Sequence, residues 1–253
     1  IRSLARIALA PNGNPSHDTH MQAIIYRGLK VHLGTRAEAF QTLTNFLTST
    51  GQHQVVTLNP EYVVLASKNQ TLVEISERAS LCLVDGIGLA LAVRGFGALE
   101  RYPGADLVPD LCAYCTTQQM KIGIVLRPGG LSTPENVQKA LQQKFPDISA
   151  DVWYEDELVE GRIQVYAPTL LFVVLGQPQQ DLWIAKNLAT FPSVHVAIGV
   201  GGAIDFLTGA RRRAPRLMRA LGVEWLWRLV TQPRRFVRVF RATFGFWYTI
   251  LFQ

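Results

Sequence analysis

Polar and acidic residues directly follow several short apolar segments of this chain, and their side chains could carry out chemistry there. Thr57 and Asn59 follow one such segment, and a proline comes next, so Asn59 could instead cap a helix. Asp85 follows another segment and is flanked by Gly86 and Gly88. A carboxylate at the end of an apolar strand can act as a general base or bind a sugar, or it can cap the next helix.

Two further segments end in glycine-containing loops. Gly176 and Gln180 lie in the first, where a helix can begin at a strand tip with its amides facing a crevice. Gly201 and Gly202 in the second allow close backbone approach and a helix N-terminus suited to a phosphate. A dinucleotide site would need G-x-G-x-x-G after the first strand, which here runs into Gly34 instead, so dinucleotide binding is disfavoured.

The elements that must position these residues alternate between short apolar runs and amphipathic stretches. The predicted strands are Leu29–Leu33, Gln54–Leu58, Leu81–Val84, Ile122–Leu126, Leu170–Leu175 and Val194–Val200. Their β-branched content and bounding turns favour buried parallel strands. The pattern predicts an α/β fold, with a Rossmann-like, mostly parallel sheet and helices on both faces, so ligands should bind beyond the carboxyl ends of the strands.

Capping signals predict where three of the helices begin. Thr35 with Glu38, and Thr71 with Glu74, have the spacing of a capping box. Thr133 precedes a proline, which is the order expected for an N-cap and the first helical residue.

Charge divides the chain unevenly. Residues 211–253 hold ten arginines, no lysine and one acid, which gives a formal +9, whereas residues 1–210 sum to −3. We therefore predict a flexible leader or remnant of a longer chain at 1–24, an α/β catalytic domain at 25–210 and a basic helical appendage at 211–253. An anionic membrane surface is the expected partner, because each arginine near one contributes about 1 kcal/mol. No nucleic-acid motif is visible, so no nucleic-acid partner is predicted.

The appendage also has helical periodicity. One stripe of a helix holds Phe236, Phe240, Phe244, Trp247 and Leu251, and the opposite side holds Arg234, Arg235, Arg238 and Arg241. The apolar run from Ala242 to Phe252 has 11 residues, well short of the roughly 20 that cross a bilayer, so an interfacial helix is predicted. The alternatives are a helix packed on the body or one that docks a second copy in a homo-oligomer.

Cysteines and acids give no indication of a metal. Cys82, Cys112 and Cys115 make no disulfide framework, which fits a reducing cytoplasm, and the Cys112/Cys115 pair has no second pair with which to hold zinc. The densest acidic run, Glu155-Asp156-Glu157, has the composition of a surface loop. We predict no metal and no cofactor.

Six ordered blocks resemble the WecG/TagA/CpsF glycosyltransferases, which form glycosyltransferase family 26, over about residues 28–240. They are Thr57-x-Asn59-Pro60-Glu61, Asp85-Gly86-Ile87-Gly88, Glu100-Arg101-x-x-Gly104-x-Asp106-Leu107, Leu175-Gly176-x-Pro178-x-Gln180-Asp181, Gly199-Val200-Gly201-Gly202-Ala203-x-Asp205-Phe206, and Arg213-Ala214-Pro215 followed by Glu224-Trp225-Leu226-x-Arg228-Leu229. Their order and spacing are far more specific than any one block.

The resemblance implies an inverting transfer of N-acetylmannosamine or its uronic acid from a UDP-sugar to a polyprenyl-diphosphate-linked saccharide. The enzyme would serve envelope or exopolysaccharide synthesis from the cytoplasmic face of the plasma membrane, as a peripheral protein. Asp85 matches the family's proposed base, and Thr57, Asn59, Arg101 and Gln180 match other pocket positions. The remaining residues expected to bind substrate are Gly86, Gly88, Asp106, Gly176, Gly201, Gly202 and Arg228, with Arg235 and Arg238 added from helical phase.

The chain also departs from the family pattern. Tyr102-Pro103 stands where many members have Val-Thr, and Arg127-Pro128 precedes a Gly-Gly pair that members carry directly after the strand. Arg127 could meet a uronate or a phosphate, or could be a solvated loop residue. A relative that uses UDP-glucose or UDP-glucuronate is therefore an alternative. Two further alternatives belong to other functional classes: a dinucleotide-binding oxidoreductase and a non-catalytic membrane scaffold.

Overall fold

A computed structural model of the chain describes residues 5–6, 21–156, 158–215, 218, 226–227 and 245–246. In chain order its strands are β1 (Ala5–Arg6), β2 (Gln22–Tyr26), β3 (Leu29–Leu33), β4 (His53–Leu58), β5 (Leu81–Val84), β6 (Ile122–Leu126), β7 (Ala150–Tyr154), β8 (Leu170–Val174) and β9 (Val196–Gly199). Its helices are α1 (Arg36–Thr48), α2 (Pro60–Ala66), α3 (Gln70–Arg78), α4 (Ile87–Val93), α5 (Gly104–Thr117), α6 (Pro134–Lys144), α7 (Val159–Tyr166), α8 (Gln179–Asn187) and α9 (Ile204–Leu207).

Six strands form one parallel sheet in the spatial order β5-β4-β9-β8-β6-β7. Alternate residues along each strand point to opposite faces, and both faces are covered by helices. Helices α1, α5 and α6 bury their apolar side chains on one face, and α2, α3, α7 and α8 do so on the other. The predicted α/β class with a mostly parallel sheet is confirmed.

The prediction that Leu29–Leu33 joins this sheet as a parallel strand is wrong. Strand β3 pairs antiparallel with β2, and β2 pairs with β1, in a separate three-stranded sheet. Arg27 and Gly28 both have positive φ, as the two-residue turn of a tight hairpin requires, so this turn sets the pairing. Strand β2 begins at Gln22 and therefore crosses the predicted boundary at residue 24.

Strand β7 was missed by the sequence analysis. It forms the edge of the large sheet, and only Val152 and Trp153 of its five residues are buried. Its apolar residues Val152, Trp153 and Tyr154 lead directly into the acidic run Glu155-Asp156-Glu157, whose composition indicated a surface loop.

Two of the three predicted helix starts are confirmed. The Thr35 hydroxyl accepts a hydrogen bond from the Glu38 amide, and the Glu38 carboxylate accepts one from the Thr35 amide, which completes the capping box. Thr133 caps α6 through the Asn136 amide. The prediction for Thr71 is wrong, because Asn69 caps α3 and its side chain accepts from the Thr71 amide at 3.1 Å.

Phe246 of the appendage contacts the body, whereas Trp227 contacts the start of the appendage itself. Phe246 is 1% exposed and packs in the apolar cluster of α2 and α4. Its ring lies 3.5 Å from the position that a Cβ on Gly88 would occupy. The Trp227 indole N–H donates to the Arg212 carbonyl at 3.3 Å. Among the described helices, none is both long enough and apolar enough to cross a bilayer.

Candidate active site

Four loops of the predicted site lie beside one another because of the strand order. Strands β5, β4, β9 and β8 are consecutive neighbours and all parallel, so their carboxyl ends meet at one edge of the sheet. Thr57 lies near the carboxyl end of β4, Gln180 lies in the first turn of α8, and the segments after β4, β5 and β9 carry Asn59, Asp85, and Gly201 with Gly202. We call this side of the molecule the carboxyl edge.

Thr57 binds two of these loops together. Its hydroxyl donates to the Gly199 carbonyl at 2.8 Å, and its own carbonyl accepts from the Gln177 side chain at 2.8 Å. With 4% of its surface exposed, Thr57 is held between β9 and the loop that precedes α8. These contacts fix the relative positions of the loops.

Asn59 is the N-cap of α2, as its sequence context indicated. Its side-chain oxygen accepts from the Tyr62 amide at 2.9 Å, and Pro60 occupies the first helical position. A Cβ on Gly86 would lie 2.5 Å from Cδ of Pro60. Gly86 is therefore required for the loops after β4 and β5 to pack this closely. If Asn59 also contacts a ligand, that contact must coexist with its hydrogen bond to the Tyr62 amide.

Asp85 lies half-buried at the end of β5. Its amide donates to the Leu58 carbonyl at 2.9 Å, and its carbonyl accepts from Nη1 of Arg101 at 3.4 Å. The alternative that Asp85 caps the next helix is wrong, because the N-cap of α4 is Gly86 and no side chain caps it. Two members of the predicted site, Asp85 and Arg101, are thus brought together through the backbone of Asp85.

Gln180 is 1% exposed and holds the glycine loop after β9. Its side-chain oxygen accepts from the Gly201 amide at 2.9 Å, and its Nε2 lies 2.5 Å from where a Cβ on Gly199 would be. Gly176 and Gly201 have φ of +79° and +50°, so each loop turns sharply beside Gln180. The helix after Gly201 and Gly202 has only four residues, and Gln180 already occupies the Gly201 amide.

Two acids at the same edge bind the start of the appendage. Asp106 accepts from Arg213 at 2.6 Å and lies 3.8 Å from Arg36. Asp205 lies 3.2 Å from Nε of Arg211. No role for Arg211 was predicted from the sequence, and Arg213 was predicted only as part of the Arg213-Ala214-Pro215 block. Arg228, Arg235 and Arg238 lie outside the described residues.

A cavity of about 700 Å³ opens between α1 and α5, beside the Glu100-Arg101 block. It is lined by Arg36, Ala37, Phe40, Glu100, Tyr102, Asp110, Ala113, Tyr114 and Thr117. The Tyr102 hydroxyl donates to Asp110 at 2.6 Å, and Arg36 lies over the Tyr102 ring. Glu100 and Tyr102 thus face this cavity, whereas Arg101 between them reaches Asp85.

The described residues contain no cluster of three or more His, Cys, Asp or Glu side chains placed to hold a metal. Cys112 and Cys115 are fully buried on α5, and burial raises the pKa of the Cys115 thiol to about 12. Asp156, from the acidic run after β7, forms an ion pair with Arg162.

Asp181 is a functional candidate only by position, because it follows Gln180 in the sequence block that begins at Leu175. It is fully buried, and neither carboxylate oxygen has a hydrogen-bond partner among the described residues. Burial raises the pKa of this carboxyl from 3.8 to about 8. Sequence alone could not reveal this, because an acid in the first turn of a helix is ordinarily solvated.

We expect the Asp181→Asn variant to lose part of the pH dependence of folding stability. Between pH 3.8 and 8 the unfolded chain releases the Asp181 proton while the folded chain keeps it. The contribution of Asp181 to the free energy of unfolding is therefore full below pH 3.8 and falls by about 1.4 kcal/mol per pH unit up to pH 8. Urea unfolding at pH 5 and pH 8 should show a smaller loss for Asp181→Asn than for wild type. Equal losses would mean that Asp181 is ionised in the folded protein.

Comparisons with known proteins show the family to which the chain belongs. The model of the glycosyl transferase WecG/TagA/CpsF family matches residues 24–253. The N-acetylglucosaminyldiphosphoundecaprenol N-acetyl-beta-D-mannosaminyltransferase of Staphylococcus aureus strain MRSA252 is 32% identical over 198 residues, which are 76% of this chain and 77% of the relative. The proteins of the same name from strains NCTC 8325 / PS 47 and COL match equally well. The chain belongs to the WecG/TagA/CpsF family of glycosyltransferases.

Proposed function

We propose that this glycosyltransferase moves N-acetylmannosamine, or its uronic acid, from UDP to a polyprenyl-diphosphate-linked saccharide, with inversion at the anomeric carbon. The observation that carries the proposal is the convergence of Asp85, Arg101, Thr57 and Gln180 at the carboxyl edge. The names of the Staphylococcus aureus relatives support an N-acetylmannosamine donor and an acceptor based on N-acetylglucosamine.

Asp85 is the proposed general base. As the acceptor hydroxyl attacks the anomeric carbon, the Asp85 carboxylate takes its proton, the new glycosidic bond forms and the bond to the β-phosphate breaks. The electron pair of that bond leaves with UDP, so negative charge builds on the departing phosphate. Arginines that match the family motif, Arg228 with Arg235 and Arg238, would stabilise that charge from the appendage.

Thr57, Asn59 and Gln180 are proposed to shape the pocket, and their hydrogen bonds support this role. Thr57 fixes the end of β4 to Gly199, and Gln180 fixes Gly201, so both ends of the crevice are rigid before substrate binds. Arg101 holds the backbone of Asp85 and would keep its carboxylate oriented. Gly86, Gly88, Gly176, Gly201, Gly202 and Asp106 are proposed to contact substrate because they belong to the same family motifs.

We propose that the transfer needs no metal ion. The described residues contain no group of three or more His, Cys, Asp or Glu side chains placed to hold a metal, and Asp106 and Asp205 each bind an arginine. Arginine side chains and backbone amides would therefore meet the charge on the leaving phosphate.

The enzyme is proposed to act as a peripheral protein on the cytoplasmic face of the plasma membrane, where its lipid-linked acceptor would lie. The arginine-rich helix of the appendage would bind anionic lipid. On a regular helix Phe246 falls outside the predicted apolar stripe. Phe246, which is buried against α2 and α4, is not one of the residues proposed to meet lipid. A homo-oligomer remains a possible assembly of this chain.

A transferase that uses UDP-glucose or UDP-glucuronate is the second candidate. The observation that favours it is the departure at Arg127-Pro128, which changes a loop at the carboxyl edge. Family membership argues against the oxidoreductase and scaffold alternatives.

Thermal unfolding with different nucleotides tests the proposed donor class. We expect UDP at 100 times its Kd to stabilise the folded protein by about 2.7 kcal/mol, because a ligand that binds only the folded state shifts the equilibrium by mass action. NAD at the same concentration is the control and should have no effect. Stabilisation by NAD without stabilisation by UDP would contradict the proposal.

A further inference from the structure

The loop that follows β6 projects from the carboxyl edge. Residues 127–131 are all exposed, and Leu131 is 57% exposed, which is unusual for a large apolar side chain. The Gly130 amide donates to the Arg127 carbonyl at 3.2 Å, and Gly129 has φ of +71°, so the loop turns tightly. The loop therefore presents one cation and one large apolar side chain on a short turn.

The base of this loop is fixed rigidly to the candidate site. Ser132 is 4% exposed, and its hydroxyl donates to Asp205 at 2.9 Å and lies 3.0 Å from the Thr208 hydroxyl. Asp205 also pairs with Arg211, at the start of the basic appendage. The loop, the glycine segment after β9 and the first arginines of the appendage thus form one connected surface.

The position of the loop determines what it can meet. The inference rests on the proposed function, in which the acceptor diphosphate lies at the level of the lipid headgroups. The carboxyl edge must then face the membrane for Asp85 to reach the acceptor. A loop that projects from this edge comes into contact with the same headgroup layer.

We propose that the loop at 127–131 is a second membrane contact, in which Leu131 enters the headgroup and acyl boundary and Arg127 binds an anionic headgroup. Within the described residues, no hydrogen bond or ion pair engages the Arg127 side chain, and the loop itself contains no acid. Leucine with arginine on a tight turn has the amphipathic character of an interfacial anchor. This contact would act together with the appendage to orient the site towards the acceptor.

Vesicle sedimentation of single variants of the full chain tests the proposal. Leu131→Asp and Arg127→Glu should each weaken binding to phosphatidylglycerol-containing vesicles by about tenfold. Val165→Asp and Lys186→Glu are matched controls, because both residues are exposed near the opposite edge, at the ends of α7 and α8, and Val165 is 89% exposed. The controls should bind the vesicles like wild type. High salt should reduce the effect of Arg127→Glu and spare that of Leu131→Asp.

Activity with two acceptors separates this proposal from the proposed function. Leu131→Asp should slow transfer to a vesicle-bound acceptor by about tenfold and leave transfer to a water-soluble short-chain acceptor unchanged. Vesicle binding of Leu131→Asp equal to that of Val165→Asp would overturn the membrane contact. A raised KM for the donor in Arg127→Glu with unchanged vesicle binding would assign Arg127 to the donor site instead. Absence of transfer by the wild type to either acceptor would contradict the proposed function. Vesicle binding of the Leu131→Asp variant would still decide whether the loop contacts the membrane.

Discussion

Replacing Asp85 with asparagine should lower turnover by about 100-fold or more, because asparagine cannot accept the proton of the attacking hydroxyl. The fold and UDP affinity should be preserved. The Asp85 amide donates to Leu58 and the Asp85 carbonyl accepts from Arg101, and these two backbone contacts remain in the variant. Steady-state kinetics with the lipid-linked acceptor give kcat, and titration with UDP gives the Kd.

Asp110→Asn is a suitable control for the Asp85 variant. Asp110 binds Arg36 and the Tyr102 hydroxyl in the neighbouring cavity, so its replacement disturbs the same block without removing the proposed base. We expect a loss of stability and a much smaller effect on kcat. Turnover of Asp85→Asn close to that of wild type would show that Asp85 is not the base.

Truncation after Leu221 should abolish transfer to the lipid-linked acceptor while UDP still binds. The deletion removes the predicted interfacial helix together with Arg228, Arg235 and Arg238, which are proposed to bind diphosphate. It also removes the buried Phe246 ring, so the remaining body should lose about 1.5–3 kcal/mol of apolar burial and melt at a lower temperature. Transfer assays and UDP titration of the truncated protein measure both effects.

Point variants separate the two roles of the appendage. Arg228→Ala should reduce turnover and preserve liposome binding, whereas the double variant Phe240→Asp with Trp247→Asp should weaken liposome binding first. If the truncated protein matches the full chain on a lipid-linked acceptor, the appendage is a packing or oligomer element. The proposed membrane role of the appendage would then be wrong.

The strands and the loops of the site could be predicted from local patterns. Apolar runs identified β4, β5 and β9, and the polar residues after them marked the carboxyl edge. The pairing of β3 could not be predicted, because a short apolar strand has the same pattern in either sheet and a two-residue turn decides the outcome. The edge strand β7 was missed because its short apolar run leads directly into an acidic surface loop.

Side-chain environments in the site depend on contacts between residues distant in sequence. The pair formed by Asp106 and Arg213 joins positions more than 100 residues apart, and no local spacing predicts it. Burial of Asp181 likewise results from the packing of α8 against the sheet, which raises a pKa that is ordinary in a solvated helix turn. Local pattern therefore located the candidate residues, whereas tertiary packing set their charges and partners.

The most direct test of the proposed function is transfer by the purified chain from UDP-N-acetylmannosamine to polyprenyl-diphosphate N-acetylglucosamine in anionic vesicles containing EDTA. We expect a lipid-linked disaccharide whose anomeric configuration, determined by NMR, is inverted relative to the donor, formed at the same rate with and without chelator. A rate that requires added Mn²⁺ or Mg²⁺ would overturn the metal-free mechanism alone. A retained configuration, or no transfer from any UDP-sugar with or without metal, would contradict the proposed function.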